Sequence, residues 1–137
     1  MPATPPPEPP HTVQLRHELP DGSWHIDWLI DLDRTEAGRL LTFRLDRRVD
    51  DLEAGTEIDL ERAADHRRIY LEYEGPLSGG RGEVTRVACG RIEAMQNLGD
   101  DWAFLIAWQR FSRQRLRVRR RPDDRWTLQV LAEPRVV

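Results

Sequence analysis

The sequence contains no lysine, only one cysteine and no long apolar run. The single cysteine, Cys89, excludes an internal disulfide and favours a reducing compartment, so we expect a cytoplasmic protein. No apolar stretch approaches the roughly 20 residues that a membrane-spanning helix needs, and we expect no membrane partner. The proline-rich residues 1–10 lack the basic start and apolar stretch of a secretory signal, which predicts a disordered tail at 1–11.

The chain has the size and composition of one water-soluble globular domain. Its 137 residues are 39% hydrophobic and 33% charged, enough for one core and too few for two independent ones. We therefore expect a single domain at 12–137. The net charge is −3, but the charges are unevenly distributed along the chain. Acidic residues are concentrated at 46–61, whereas 110–121 contains seven arginines and no acidic residue. The all-arginine complement is consistent with codon bias or with a demand for bidentate phosphate contacts.

Alternation of apolar and other side chains identifies the clearest strand, at 24–30. Trp24, Ile26, Trp28 and Ile30 share one face, and His25 and Asp27 lie on the other. Residues 13–17 predict a preceding strand, and Pro-Asp-Gly-Ser at 20–23 has the chemistry of a hairpin turn. The two strands are expected to pair in antiparallel fashion.

Further short runs predict an all-β fold. They lie at 40–45, 69–73, 83–88, 102–108, 115–119 and 126–131, each bounded by turn-forming residues. Such spacing is typical of a barrel or a sandwich. The helix candidate at 50–64 is interrupted by Gly55, which favours one or two short helical turns.

Three of the four histidines are candidates for a metal site, because His11 lies in the predicted tail with nothing to hold it. His25 and Asp27 share a strand face, His17 precedes the turn, and His66 precedes the next run. Imidazoles and a carboxylate can hold a divalent metal with positions open for substrate. A one-residue slip of the hairpin would move His17 to the opposite face, and solvated surface histidines are the alternative.

Two arginine features have both a phosphate-binding and a plain structural interpretation. The Gly-Gly-Arg-Gly loop at 79–82 could approach a phosphate, with Arg81 adding a charge-assisted contact, or it could be a flexible connection. A strand at 113–119 would present a cationic ridge over apolar Leu116 and Val118. The ridge would suit a phosphate backbone or pair with acids elsewhere; it consists of Arg113, Arg115, Arg117 and Arg119.

The order of these motifs resembles the 3′-phosphoesterase domain of bacterial DNA ligase D proteins. The matching stretches are 17–27, with His-x-Asp on the second strand, 65–70, with Asp-His-x-x-x-Tyr, and the Tyr-Glu-Gly at 73–75. The resemblance implies a closed, or nearly closed, antiparallel β-barrel of about eight strands with its site in a polar cavity. It also implies that His17, Asp27 and His66 hold Mn²⁺ or another divalent transition metal.

Carried over position by position, the resemblance also implies that His25, Tyr70 and Arg47 are phosphate contacts. In an active enzyme of this kind, His25 would also donate a proton to the leaving group. The sequence departs from the family at two positions. Leu29 stands where the family has an arginine two residues after the metal-binding aspartate, and Ala64 stands where the family has an acidic residue before Asp-His. A leucine cannot pair with a phosphate, so metal binding is better supported than catalysis.

The implied function is a divalent-metal-dependent 3′-phosphoesterase-like protein that acts on or recognises the 3′ ends of DNA or RNA in repair. A separate ligase or polymerase is an expected partner. The alternative is a non-catalytic nucleic-acid or protein-binding barrel whose working surface is the basic ridge, Arg110 to Arg121. A third interpretation takes His25, Asp27 and His66 as the facial triad of an iron oxygenase.

Overall fold

The structure, a computed structural model, describes residues 8–35, 38–109 and 112–132. Most of the predicted tail, Arg110 of the basic ridge and the end of the predicted domain at 133–137 therefore lie outside the described residues. The strands are β1 Thr12–Glu18, β2 Trp24–Ile30, β3 Leu40–Leu45, β4 Glu57–His66, β5 Gly75–Pro76, β6 Glu83–Asn97, β7 Asp101–Trp108, β8 Arg113–Arg120 and β9 Trp126–Leu131. Three short 3₁₀ turns are formed at Val49–Asp51, Arg68–Leu71 and Ser78–Gly80.

Eight antiparallel strands close into a barrel in the order β1-β2-β3-β4-β9-β8-β7-β6, with β6 returning to β1. The first half of the long strand β6 pairs with β1 and its second half with β7, and the short β5 pairs with its beginning. This confirms the predicted all-β barrel. Within the described residues, no helix has the length and apolar character needed to cross a membrane.

The β1–β2 hairpin has the register that a shared histidine face requires. His17 lies opposite His25, and Leu15 lies opposite Asp27. In the turn, Gly22 adopts a φ of 87°, which favours glycine, and its N–H donates to the carbonyl of Leu19. The predicted hairpin is thus confirmed, and His17 is on the same face as Asp27.

The barrel interior is filled by one apolar face from each wall strand. On β2 this face is Ile26, Trp28 and Ile30, which pack with Phe43 and Phe104 among others. The indole N–H of Trp28 donates to the Thr12 hydroxyl at 2.9 Å, so its polar atom is satisfied in the core.

The prediction of helical turns across 50–64 holds only at its start. The 3₁₀ turn at Val49–Asp51 is fixed from inside the barrel, where Gln14 accepts from the N–H of Val49 and Gln114 donates to its carbonyl. The remainder is mostly strand β4, which pairs with β3 and β9 and turns Leu60 into the core. Because it pairs with two neighbouring strands, this segment is a strand although its composition suggested helical turns.

A second, smaller apolar cluster lies on the outward face of β1, β2 and β3. Its buried members are Val13, Leu15, Leu29, Leu40, Leu71 and Val84. The cover is the segment 67–82, which docks through Leu71. The predicted strand at 69–73 is wrong, because each wall strand already has two neighbours and this segment crosses the outside of the barrel as a 3₁₀ turn.

The expectation that nothing holds His11 is also wrong. Its N–H donates to the carbonyl of Gly90, its carbonyl accepts from Asp31, and its Nδ1 accepts from the N–H of Ile92 at 2.9 Å. These bonds tie the residue that precedes β1 to β2 and β6. Burial lowers the pKa of His11, and the charges of Arg34 and Arg91 act in the same direction.

Candidate metal centre

Three metal-binding side chains meet on the outward face of β1 and β2. His17, His25 and Asp27 each offer a ligand atom, and these atoms all lie within 4.8 Å of one another, so the group could hold a metal ion. The alternation of β2 places His25 and Asp27 on one face, and the hairpin register adds His17. The site thus lies outside the apolar barrel interior and beside the second cluster.

Asp27 is the centre of the arrangement, with only 2% of its surface exposed. Its Oδ2 lies 3.7 Å from His17 Nδ1 and 3.9 Å from His66 Nε2. Its Oδ1 lies 3.2 Å from His25 Nε2 and 3.4 Å from Arg44 Nε. Three imidazoles and one guanidinium therefore surround a single buried carboxylate.

Backbone carbonyls fix the orientation of two of these imidazoles. His17 Nε2 donates to the carbonyl of Arg81 at 2.7 Å, and His66 Nδ1 donates to the carbonyl of Ala64 at 2.9 Å. Because a carbonyl can only accept, the contacting nitrogen of each ring must hold the proton. In the neutral rings, the lone pairs of His17 Nδ1 and His66 Nε2 are then left on the nitrogens closest to Asp27 Oδ2.

This pattern is the one that metal-binding histidines show, with one ring nitrogen donating to a backbone carbonyl and the other free to bind the ion. Bond lengths of about 2.0–2.2 Å place neighbouring ligand atoms of such an ion about 3.0–3.6 Å apart. The N–O distances of 3.7 and 3.9 Å are only slightly longer. The donor set of imidazole nitrogens and one carboxylate fits a divalent transition metal.

His25 is the third imidazole, and its Nε2 is buried without a hydrogen bond of good geometry to any described residue. The nearest acidic oxygen to this nitrogen is Asp27 Oδ1, at 3.2 Å. Burial lowers the pKa of His25, against the charge of Asp27 and together with those of Arg44 and His17. His25 is therefore a candidate ligand as well as a proton-transfer group. His66 is near Asp27 but outside the most compact group.

The sequence interpretation missed Arg44, whose Nε contacts Asp27. It lies on β3 directly opposite Asp27. Arg47, the predicted phosphate contact, instead pairs with Asp46 and lines a groove with Glu57, Asp59, Arg121 and others. The alternation of β3, with Phe43 and Leu45 inward, puts Arg44 on the outward face, so it could have been found once the β2–β3 register was known.

Tyr70 lies at the edge of the centre, with its ring centroid 5.6 Å from that of His66. Tyr73 packs on the other side of Tyr70 at 5.9 Å. The two tyrosines contribute to a pocket of about 260 Å³ that is lined by Arg67, Ile69, Tyr70, Tyr73, Pro76, Leu77 and Ser78. The predicted Tyr70 is thus beside a metal-binding candidate and a cavity.

Arg81 reaches the centre through its backbone. Its guanidinium donates to the carbonyl and the hydroxyl of Ser78, while its carbonyl orients His17. Gly82 adopts a φ of +91°, and a Cβ there would lie 2.0 Å from the carbonyl oxygen of Glu18. Close packing against β1 therefore accounts for Gly82 without a phosphate.

Both departures from the resembled family have a structural role here. Leu29 is fully buried in the second cluster, where it packs beneath the covering segment. Ala64 provides the carbonyl that orients His66, a contact that needs no acidic side chain.

The part of the basic ridge at Arg113–Arg120 forms strand β8, as predicted, with Leu116 and Val118 in the barrel core. Its charges are partly paired, because Arg113 binds Glu93 and both Arg117 and Arg119 contact Asp101. Arg115 Nε and Arg117 Nε are buried without a hydrogen-bond partner among the described residues.

No protein-family model matches this chain, and no curated protein matches it.

Proposed function

We propose that this protein is a divalent-metal-dependent, 3′-phosphoesterase-like protein that acts on or recognises the 3′ ends of DNA or RNA in repair. The observation that carries the proposal is the pair of carbonyl-oriented histidines, His17 and His66, whose free ring nitrogens approach Asp27 Oδ2. The resemblance noted in the sequence supplies the substrate class. Mn²⁺ is the ion that the resemblance favours, and a separate ligase or polymerase remains the proposed partner.

In this proposal His17, Asp27 and His66 hold the ion, which when bound supplies Lewis-acid stabilisation of charge on a phosphate oxygen. The side chains of the protein position the phosphoester and transfer the proton. Arg44 contacts the Asp27 carboxylate and the ring of Tyr70 packs against His66, so both would border a phosphoester bound at the ion.

His25 has two possible roles that one variant separates. As a third ligand, it would be needed for tight metal binding; as the proton donor, it would be needed only for turnover. His25→Gln with unchanged Mn²⁺ affinity and lost phosphate release would identify the proton donor. A fall in Mn²⁺ affinity would identify the ligand.

The test of the proposal is Mn²⁺ titration by calorimetry of the wild type and His66→Ala, followed by incubation with a 3′-phosphorylated primer-template. His11→Asn is the matched control, since it retains an acceptor for the N–H of Ile92. We expect binding that is lost in His66→Ala and kept in His11→Asn, with phosphate release that depends on Mn²⁺. Binding without release would mean a recognition module, and no binding to the wild type would overturn the proposal.

The basic ridge remains the second candidate surface. It predicts salt-sensitive oligonucleotide binding that is the same for 3′-phosphate and 3′-hydroxyl ends and survives His66→Ala. The ion pairs of the ridge with Glu93 and Asp101 reduce its free charge, which is why the metal centre is preferred.

A further inference from the structure

Arg44 occupies a distinctive position between two acids. On one side it lies opposite Asp27 of β2, and on the other it lies opposite Glu61 of β4. Its Nε contacts Asp27 Oδ1 at 3.4 Å, whereas it forms no ion pair with Glu61. The side chain therefore leans toward the metal centre.

The contact leaves the outer edge of the guanidinium open. Only Nε reaches Asp27, and the two terminal amino groups have no hydrogen bond or ion pair with any residue that the structure describes. The side chain is 37% exposed, so these donors face solvent beside the centre. A guanidinium held at Nε and open at its end is arranged to bind an oxyanion through two parallel N–H donors.

Three other arginines that could bind a phosphate have their guanidinium groups engaged elsewhere. The guanidinium of Arg81 binds Ser78, that of Arg47 binds Asp46, and that of Arg67 lies over the ring of Tyr70. Among the arginines that the structure describes, Arg44 is the one that forms an ion pair with Asp27. A divalent cation at Asp27 and the Arg44 guanidinium repel each other, and an oxyanion bound between them relieves this repulsion.

We propose that Arg44 is the phosphate-binding residue of the centre and that it makes the site prefer a 3′-phosphate over a 3′-hydroxyl end. The inference rests on the proposed function, which it deepens by naming the group that recognises the phosphate. The planar fork matters as well as the charge, because a lysine ammonium cannot form the bidentate contact.

The experiment compares fluorescence anisotropy of two labelled duplexes that differ only in a 3′-phosphate or a 3′-hydroxyl. The proteins are the wild type, Arg44→Gln, Arg44→Lys and Arg47→Gln, each with and without Mn²⁺. Arg125→Gln is the control, since Arg125 is exposed and its guanidinium pairs with Asp123. Mn²⁺ titration of every variant is the independent readout.

We expect the wild type to prefer the phosphate, and Arg44→Gln to lose at least about tenfold of that preference, in keeping with the loss of charge-assisted hydrogen bonds. Arg44→Lys should restore only part of it. Mn²⁺ affinity should be unchanged or higher in Arg44→Gln, because a competing cation is removed from Asp27. A purely structural role for Arg44 would instead weaken Mn²⁺ binding and leave the preference intact.

The results separate this inference from the proposed function. Failure of the wild type to bind Mn²⁺ overturns the proposed function, while the phosphate preference without Mn²⁺ still decides the role of Arg44. A wild type without preference, an Arg44→Gln variant that keeps it, or its loss in Arg47→Gln alone would each overturn the inference.

Discussion

The two faces of strand β2 differ in the side chains that they carry and in what those side chains contact. The inward face, with Ile26, Trp28 and Ile30, is apolar throughout and belongs to the barrel core. The outward face begins with His25 and Asp27 and continues with Leu29 in the second cluster. One face packs in the barrel core. The other face carries the polar candidate centre next to the apolar cluster on which the segment 67–82 packs.

The contrast shows that the candidate centre is built on the outward side of the barrel wall, away from the apolar interior. The cover contributes the Arg81 carbonyl that orients His17, and the end of β4 contributes the Ala64 carbonyl that orients His66. Changes inside the barrel should therefore unfold the protein, whereas changes at the centre should weaken ligand binding in a folded protein. The following predictions test that separation.

The largest effect is expected from Trp28→Ala. Trp28 is fully buried between Phe43 and Phe104, and truncation of such an aromatic should lower the free energy of unfolding by about 3–5 kcal/mol. Urea denaturation measures the change. Mn²⁺ affinity of the fraction that stays folded should match the wild type, and a direct loss of affinity would contradict the separation.

Leu29→Arg, which restores the arginine of the resembled family, should also destabilise the protein. Leu29 packs with Val13, Leu15 and Leu40, and a charged side chain placed among them should lower the free energy of unfolding by about 2–4 kcal/mol. Leu29→Met is the volume-matched control and should cost less than about 1.5 kcal/mol. Unchanged stability with increased phosphate release would show that the second cluster does not require Leu29.

Asp27→Asn should remove metal binding while the barrel persists. The amide loses the negative charge that faces three imidazoles, so Mn²⁺ affinity should fall at least about 100-fold, beyond the 10–100-fold typical of residues that only orient ligands. Calorimetry gives the affinity, and circular dichroism checks the fold. Retained affinity would exclude Asp27 as a ligand.

The smallest effect concerns His11 and pH. Burial lowers the pKa of His11 below its ordinary 6.5, so the unfolded chain binds the proton more readily than the folded one. The stabilisation is present above pH 6.5 and is lost as the pH falls below it, because protonation removes the acceptor of the Ile92 N–H. Thermal unfolding of metal-free protein between pH 7.5 and about 5 should show a smaller decrease in Tm for His11→Asn than for the wild type. Identical decreases in Tm would show that His11 does not contribute to the pH dependence of stability.

Local patterns were enough to predict strand β2 and the hairpin. The alternation at 24–30 places His25 and Asp27 on one face, whereas the face of His17 depends on a hairpin register that the turn residues left open. The strand and the turn depend on residues close in sequence, where side-chain period and turn chemistry determine the geometry.

The parts that could not be predicted depend on distant backbone. Arg44 meets Asp27 through the β2–β3 register, and the residues between those strands do not reveal that register. The orienting carbonyls of Ala64 and Arg81 carry no side-chain signature. The segment at 69–73 has strand-like composition, yet docking of Leu71 on a closed barrel determines its conformation.

The most direct test of the central claim is NMR of the histidine ring nitrogens in the metal-free protein and after addition of diamagnetic Zn²⁺. The account predicts that neutral His17 is protonated at Nε2 and neutral His66 at Nδ1, and that Zn²⁺ shifts the opposite nitrogen of each ring. The reverse tautomers, or Zn²⁺ shifts that leave both rings unchanged, would contradict a metal centre built on Asp27 and these two histidines.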